Sequence, residues 1–155
     1  MSSTPSGEFR RAGSADAETA REIVRSAYTK WIPIIGREPR PMMADYDRAV
    51  TDHDVDLLLV GPKIVGFIET MMRDNHLWIE NIAVRPEEQG KGFGWRLLVH
   101  AEGLALAMRR REIRLLTNSA FESNVVLYEK AGYIITASEP FLSGTTIYMS
   151  KYLTG

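Results

Sequence analysis

The sequence predicts an α/β (α+β) fold, arranged as one domain over residues 1–155. The 155 residues are 45% apolar and 25% charged, which is ordinary for one globular domain with a buried core. Three strand-like segments follow one another in the middle of the chain, joined by short turns. After them the apolar period changes from that of a strand to that of a helix. The sequence contains no internal repeat and no linker that would divide it.

The first third of the chain predicts a short strand and two helices. A strand is expected around Phe9–Ala12, and Asp16 is expected to cap a helix whose apolar residues recur at helical spacing. Pro33 should end this helix. The Gly- and Pro-rich stretch 36–41 then predicts a loop, and a short helix follows over 42–50.

The middle of the chain predicts three consecutive antiparallel strands, Val55–Val60, Ile64–Met72 and His76–Val84. The short Gly61-Pro62-Lys63 link indicates a hairpin between the first two. Asp74-Asn75 indicates a second tight turn.

The last third predicts alternating helices and strands. A long helix should run from about Gly90 to Met108, followed by a strand at Ile113–Thr117 and a helix at Ser123–Ala131. Tyr133–Ala137 and Thr145–Tyr152 predict a final pair of strands.

Charge and composition narrow the classes of function. The net charge of −1 gives no general attraction to nucleic acid or to an anionic membrane, although Arg109–Arg111 with Arg114 would serve a nucleic-acid-binding alternative. Without cysteine the chain has no disulfide, no thiolate metal site and no cysteine nucleophile. The three histidines lack metal-ligand spacing, so no metal is expected. No run approaches the roughly 20 apolar residues that span a bilayer, and a cytoplasmic protein is expected.

The most informative segment is the glycine-rich turn at residues 84–94, which leaves a strand and enters a helix. The first N–H groups of a helix lack intrahelical partners, and the helix dipole adds positive potential, so this position suits a phosphate. Gly90, Gly92 and Gly94 allow the backbone to approach a diphosphate closely, and Lys91 could add a charge. A loop in which the glycines only permit a tight turn is the alternative.

Two common phosphate motifs fail here. A P-loop requires Ser or Thr after the lysine, where Gly92 stands, and the dinucleotide fingerprint requires glycine at Trp95. A third pattern, Gln-x-x-Gly-x-Gly, is satisfied by Gln89, Gly92 and Gly94. At these residues the sequence resembles the pyrophosphate loop of the GCN5-related N-acetyltransferase (GNAT) superfamily.

A second segment extends the resemblance. Leu-Tyr-Glu-Lys-Ala-Gly-Tyr at residues 127–133 is similar to the second signature of GNAT proteins. Many members have asparagine seven residues before the tyrosine, where this chain has Phe121, while a subgroup with Asn118 and Asn124 looks similar. Pro41–Tyr46 also resembles that subgroup. The departure leaves open which asparagine holds the pantetheine arm.

The resemblance implies a twisted, mixed, mostly antiparallel sheet of six to seven strands with helices on both faces. It implies that acetyl-CoA binds where the strands ending at Val84 and Asn118 part. The residues implied to bind it are Ile82, Ala83, Val84, Gln89, Gly90, Lys91, Gly92, Phe93, Gly94, Asn118, Asn124, Leu127 and Tyr128.

The same resemblance implies the chemistry. Tyr128 matches the tyrosine whose hydroxyl protonates the leaving thiolate, and a backbone N–H of Ile82–Val84 would meet the oxyanion. Glu80 is the candidate base, and it shares a face with Ile82 and Val84 if strand alternation holds. A bulge in this strand, which the superfamily carries, would instead turn Glu69 or Asn81 towards the substrate. Transfer is expected to be direct, because no obvious nucleophile could carry the acetyl group.

The sequence does not identify the acceptor, expected to be a small-molecule or peptide amine. Candidates for the acceptor pocket are Trp31, Asp45, Tyr46, Met71, Met72 and Phe141. Asp45 would suit a cationic amine. A non-catalytic acyl-CoA-binding sensor or subunit is the alternative, and a homodimer is possible by resemblance.

Overall fold

The structure is a computed structural model that describes residues 7–142 and 144–154, so the predicted domain bounds at residues 1 and 155 lie outside it. Within that part of the chain, seven strands form one sheet in the order β1-β2-β3-β4-β5-β7-β6. Neighbours pair antiparallel except β4 and β5, which are parallel. The strands are β1 (Glu8–Arg11), β2 (Asp54–Val60), β3 (Lys63–Met72), β4 (Leu77–Val84), β5 (Glu112–Asn118), β6 (Ile134–Phe141) and β7 (Gly144–Tyr152).

Helices cover both faces of the sheet, which confirms the predicted fold class. The helices are α1 (Ala17–Tyr28), α2 (Ile32–Ile35), α3 (Tyr46–Asp52), α4 (Phe93–Ala107) and α5 (Glu122–Lys130). A buried apolar cluster lies on each face of the sheet, and side chains that alternate along β2 contribute to both. Leu57 packs with the residues of α1 and α3, and Leu58 packs with those of α4. None of the helices in the described ranges is long and apolar enough to cross a membrane.

The β2–β4 segment is the predicted meander. Gly61 takes a φ of 59° in the tight turn between β2 and β3, a conformation that favours glycine. The turn at Asp74-Asn75 joins β3 to β4 in the same antiparallel sense. Both predicted turns are therefore confirmed.

The α1 region differs from the prediction at both ends. Asp16 precedes α1, but its carboxylate accepts from the Gly13 N–H (2.8 Å) and pairs with Arg10 instead of capping the helix. Pro33 does not end α1, which stops at Tyr28; it lies in the first turn of α2, where a missing N–H costs nothing. Gly36 ends α2 with a φ of 77°.

Two further bounds were wrong. The helix expected over 42–50 is a short 3₁₀ turn at Arg40–Met43, after which α3 begins behind an Asp45 cap that accepts from Arg48 N (3.2 Å). The final pair of strands is present, but β6 continues to Phe141 because it pairs with β7 as far as Gly144.

The sheet opens in its middle. Pairing between β4 and β5 covers Leu77–Ile79 with Ile113–Leu115, while β4 continues to Val84 and β5 to Asn118. The carboxyl ends of these two parallel strands therefore separate, and a gap opens between them.

Candidate active site

A cavity of about 310 Å³ lies at this gap. Its walls come from the end of β4, the glycine-rich turn, the first turn of α4, and the facing sides of α1 and α5. Among the predicted acetyl-CoA contacts, those that line it are Ile82, Ala83, Val84, Gln89, Gly90, Gly92, Phe93, Gly94, Asn124, Leu127 and Tyr128.

The glycine-rich turn takes a shape that side chains would strain. Gly90 and Gly92 have φ values of 81° and 91°, in the left-handed region. The Gln89 side chain fixes the turn from within, since its Nε2 donates to Val84 O (3.0 Å) and its Oε1 accepts from Lys30 Nζ (2.9 Å). The predicted glutamine thus ties the turn to the end of β4 and to the segment after α1.

The start of α4 presents backbone donors to the cavity. The first intrahelical hydrogen bond runs from Arg96 N to Gly92 O (3.1 Å), so the N–H groups of Phe93, Gly94 and Trp95 precede it. Together with the helix dipole, these groups form an anion-binding end. Lys91 is not among the lining residues; its ammonium pairs with Glu88 (3.0 Å).

Gly94 lies where α4 and α5 are in contact. A Cβ at this position would lie 2.9 Å from Leu127 Cδ2, so the absence of a side chain lets α5 approach α4. Because Leu127 and Tyr128 are consecutive in α5, the same close approach brings Tyr128 to the cavity wall.

Tyr128 is buried, with 4% of its surface exposed, and it lines the cavity. Burial raises its pKa well above the usual value, and nearby Tyr28 and Tyr133 raise it further. The phenol therefore stays protonated at neutral pH, the state that a proton donor needs.

The two candidate asparagines have different surroundings. Asn124 lines the cavity. Asn118 lies outside the lining, at the end of β5, where its Oδ1 accepts from Ala120 N (2.9 Å) and its side chain packs against Gly144. The geometry favours Asn124 for contact with a bound ligand and gives Asn118 a turn-capping role.

The backbone of β4 directs polar groups into the gap. Ile82 O lies 3.4 Å from the Tyr28 hydroxyl, and Val84 O accepts from Gln89 Nε2. Since N–H and C=O of one residue point to the same side of an extended strand, the N–H groups of Ile82 and Val84 also point away from β3. Arg85, of the opposite alternation, donates its N–H to Val65 O of β3 (3.0 Å).

A chain of hydrogen bonds leads from the cavity to α3. Tyr28 donates to Asn81 Oδ1 (3.0 Å), Asn81 Nδ2 donates to the Tyr46 hydroxyl (3.0 Å), and Tyr46 donates to Pro41 O (2.6 Å). Tyr28, Tyr46 and Asn81 are buried, so these bonds fix their positions. The chain links a wall of the cavity to the helix beyond it.

Glu80 is the extra residue of a β-bulge. Glu69 pairs with Asn81 and the next residue, Thr70, pairs with Ile79, so Glu80 has no partner in β3. Ile79 and Ile82 consequently lie in the same core cluster. Strand alternation is broken here, and the expectation that Glu80 shares a face with Ile82 and Val84 was wrong.

The bulge places Glu80 with a second acid. Glu80 is exposed, accepts from Trp78 Nε1 (2.8 Å), and is close enough to raise the pKa of Glu69 and of Tyr46. Glu69 is buried and lies 2.5 Å from His53 Nδ1; burial raises its pKa, although His53 partly opposes the shift. Two carboxylates thus lie near Tyr46, outside the cavity lining.

The other predicted pocket residues divide into two groups. Trp31 lines the cavity and stacks on Phe121, with the ring centroids 4.9 Å apart. Asp45 caps α3, and Met71 and Met72 are half-buried at the end of β3. Phe141 lies half-exposed at the end of β6, with the guanidinium groups of two arginines over its ring.

The sequence interpretation missed several lining residues. They are Ala27, Tyr28, Lys30, Glu88, Trp95 and Ser123. Tyr28 lies on the apolar face of α1 and belongs to a buried cluster; its position before the sheet opening is set by tertiary packing. The three histidines each have a separate neighbour, Glu69, Asn75 and Asp56 respectively for His53, His76 and His100.

Solved structures share this fold. The PaiA N-acetyltransferase from Thermoplasma acidophilum, in complex with coenzyme A, superposes with a TM-score of 0.81 at 21% identity, covering 96% of this chain and 99% of that one. The ribosomal-protein-S18-alanine N-acetyltransferase from Escherichia coli has a TM-score of 0.78 at 18% identity, covering 97% and 96%. A Bacillus subtilis acetyltransferase in complex with CoA has a TM-score of 0.74 at 18% identity, covering 96% and 100%.

Sequence comparison gives the family. A comparison with curated protein sequences gives no match. The sequence family described as acetyltransferase (GNAT) domain matches residues 52–135, more than half of the chain, from the end of α3 into β6. That range contains the glycine-rich turn, the opening of the sheet and Tyr128. The chain belongs to the GNAT family of acetyltransferases.

Proposed function

We propose that this chain is a single-domain N-acetyltransferase that moves the acetyl group of acetyl-CoA directly to a primary amine in a ternary complex. The observation that carries the proposal is the cavity at the sheet opening. It has an anion-binding helix start at one wall and a protonated, buried tyrosine at another. A GNAT chain with this arrangement has the parts needed both to hold a CoA thioester and to cleave it.

The residues present fit the coenzyme. Gly90 and Gly92 bring backbone N–H groups to the cavity wall with no side chain in the way, and the first turn of α4 adds three more donors. Asn124 and the outward N–H groups of Ile82 and Val84 supply hydrogen bonds along an extended arm. The backbone makes most of this site, since Lys91 is paired with Glu88.

Tyr128 is proposed to act as the general acid. In the transfer, a C–N bond forms between the amine and the acetyl carbon, and the C–S bond to the coenzyme breaks. The Tyr128 hydroxyl donates a proton to the departing thiolate, and an outward N–H of Ile82 or Val84 donates to the oxyanion. The raised pKa of Tyr128 keeps the proton in place until the thiolate forms.

Glu80 is proposed to take the proton that the amine loses. The bulge turns it towards Tyr46 and Glu69, on the side of β4 that packs against α1 and α3. Glu69 is the second candidate, because a buried carboxylate with a raised pKa is a better base than an ordinary one. Its contact with His53 offers an onward path for the proton.

The test is the release of coenzyme A from acetyl-CoA, followed with a thiol reagent against a panel of amines. Because the sequence contains no cysteine, the protein adds no thiol background. We expect release with at least one class of amine and little with Tyr128→Phe. Protein that binds acetyl-CoA but releases no coenzyme with any amine would favour the non-catalytic sensor instead.

A further inference from the structure

Two arginines lie over one aromatic ring at the end of β6. The loop between α2 and α3 carries Arg37 and Arg40, whose guanidinium carbons lie 5.5 Å and 5.7 Å from the centroid of the Phe141 ring. Phe141 ends β6, and 38% of its surface is exposed. Two segments far apart in sequence thus bring two positive charges to one half-exposed ring.

Within the described part of the chain, these two charges have no acidic partner. Glu38 lies between the two arginines in sequence, but it pairs with Arg25 (3.1 Å), which also donates to Met42 O (2.8 Å). Over residues 7–142 and 144–154, no carboxylate forms an ion pair with Arg37 or Arg40, and the buried Arg37 Nε has no hydrogen-bond partner. A buried donor without an acceptor is unfavourable, and a bound anion would satisfy it.

Hydrogen bonds connect the loop of Arg37 and Arg40 to the strand that carries Glu80, the proposed base. Pro41, the neighbour of Arg40, accepts from the Tyr46 hydroxyl, which in turn accepts from Asn81 beside Glu80. Two hydrogen bonds therefore separate the arginine loop from the bulge in β4.

The other segment reaches the same opening. Phe141 pairs with Gly144, which packs against Asn118 at the end of β5. The sheet parts at this end of β5. The arginine pair consequently lies near the gap where the amine must meet the thioester.

We infer that the acceptor is an amine that also carries a carboxylate, bound by Arg37 and Arg40. This inference rests on the proposed N-acetyltransferase function. A planar guanidinium matches a carboxylate with two parallel hydrogen bonds, and a second cation nearby strengthens the pairing. The acidic residues Glu80 and Glu69 would face the amine, and the arginines the carboxylate. Opposite charges at the two ends of the pocket select a molecule with both groups.

The test compares matched acceptors in the coenzyme-release assay. Amino acids are paired with their carboxamides, and unbranched ω-amino acids with alkylamines of the same chain length. Wild-type protein should show a KM at least roughly tenfold lower for the carboxylate member of a pair, the size expected of a charge-assisted contact. This comparison needs no variant and does not depend on whether any variant folds.

Variants then assign the effect to residues. Arg37→Gln and Arg40→Gln should each raise the KM for the carboxylate acceptor by roughly ten- to a hundredfold. Both should leave the KM for acetyl-CoA and the KM for the uncharged partner unchanged. Arg111→Gln, on an exposed arginine between α4 and β5, removes the same charge and should change none of these constants.

The outcomes separate the two proposals. Equal KM values for both members of each pair, or Arg37→Gln and Arg40→Gln variants that weaken both members alike, would overturn the carboxylate inference and leave the N-acetyltransferase intact. Protein that binds acetyl-CoA and acetylates no amine of either set would overturn the proposed function, and this inference with it.

Discussion

The hydroxyl of Tyr28 donates a 3.0 Å hydrogen bond to Oδ1 of Asn81. Tyr28 lines the cavity, and Asn81 precedes Ile82 on the strand that parts from β5. The bond is buried and continues through Tyr46, so it fixes α1 against the strand that carries Glu80. This contact therefore holds α1 against β4 beside the opening of the sheet.

Replacement of Tyr28 by Phe should therefore loosen the opening. The change leaves Asn81 Oδ1 buried without its donor, which costs about 1–3 kcal/mol of unfolding free energy. Urea denaturation measures this loss, and the KM for acetyl-CoA should rise with it. Ser26→Ala, which removes a half-buried hydroxyl bonded to the backbone of the same helix, is the control. Unchanged stability in Tyr28→Phe would show that the bond does not fix the strand.

Removal of the Tyr128 hydroxyl should affect turnover more than binding. Tyr128→Phe keeps the buried ring but cannot protonate the thiolate, so kcat should fall roughly a hundredfold while the Kd for acetyl-CoA stays the same. Steady-state kinetics and calorimetry measure the two quantities. Tyr133→Phe, a buried neighbour whose hydroxyl has no hydrogen-bond partner among the described residues, is the matched control. A normal kcat in Tyr128→Phe would remove its acid role.

A side chain introduced into the glycine-rich turn should weaken the binding of acetyl-CoA selectively. Gly92→Ala forces a side chain into a φ of 91°, at about 1–2 kcal/mol, and alters the turn that presents the backbone donors. The Kd for acetyl-CoA should rise roughly tenfold or more. Gly61→Ala introduces a comparable strain in the β2–β3 hairpin, at a φ of 59°, and should lower stability without changing that Kd. Equal effects of the two variants on binding would contradict the proposed role of the turn.

The pH dependence of the rate distinguishes the two candidate bases. Glu80→Gln should reduce acetylation at neutral pH, and raised pH should restore part of the rate because more of the amine is then neutral. Glu69→Gln, which keeps the shape of the buried side chain, is the comparison. If Glu69→Gln shows the pH-dependent loss and Glu80→Gln does not, the base is Glu69. A Glu80→Gln loss that is equal at every pH indicates a binding role.

The hydrogen bonds of Asp56, which lie away from the active site, predict that the folded protein loses stability in acid. Burial alone would raise its pKa, but hydrogen bonds from His100 (2.7 Å) and Arg11 (2.6 Å) outweigh it, and the pKa lies below the usual 3.8. The folded state thus favours the ionised form, so its stabilisation is present above pH 3.8 and is lost as pH falls through the lowered pKa.

Asp56→Asn tests this assignment. The variant should be less stable at neutral pH by about 1–3 kcal/mol, with a flatter loss of stability towards low pH. Urea unfolding across the acid range measures both effects. Asp74→Asn, in the exposed turn between β3 and β4, should behave as wild type. An Asp56→Asn curve parallel to that of wild type would contradict the assignment.

Much of the fold could be predicted because it depends on local patterns. Short turns with glycine or asparagine marked the meander of β2 to β4, and the change of apolar period marked α4. The errors fall at helices and strands whose bounds depend on tertiary contacts. Pro33 was expected to end α1 but lies in the first turn of α2, and β6 continues to Phe141 because β7 pairs with it.

The residues of the site also divide into those that a contiguous motif predicts and those that only tertiary contacts bring together. The glycine-rich turn and Tyr128 are contiguous motifs, and most of their residues line the cavity. The bulge at Glu80 reverses side-chain directions. The family resemblance raised a bulge in this strand as an alternative, but no residue pattern locates it, because register depends on the partner strand. Arg37, Arg40 and Phe141 meet only when a loop and a distant hairpin pack together, so no local pattern could connect them.

The central claim is acetyl transfer to an amine, and detection of the product tests it most directly. The wild-type protein is incubated with acetyl-CoA and an amine, and mass spectrometry is used to search for the N-acetylated amine while coenzyme release is measured in parallel. We predict one acetylated amine per coenzyme released, with product formation greatly reduced in Tyr128→Phe. Coenzyme release without an acetylated amine, or an undiminished yield from Tyr128→Phe, would contradict the proposed mechanism.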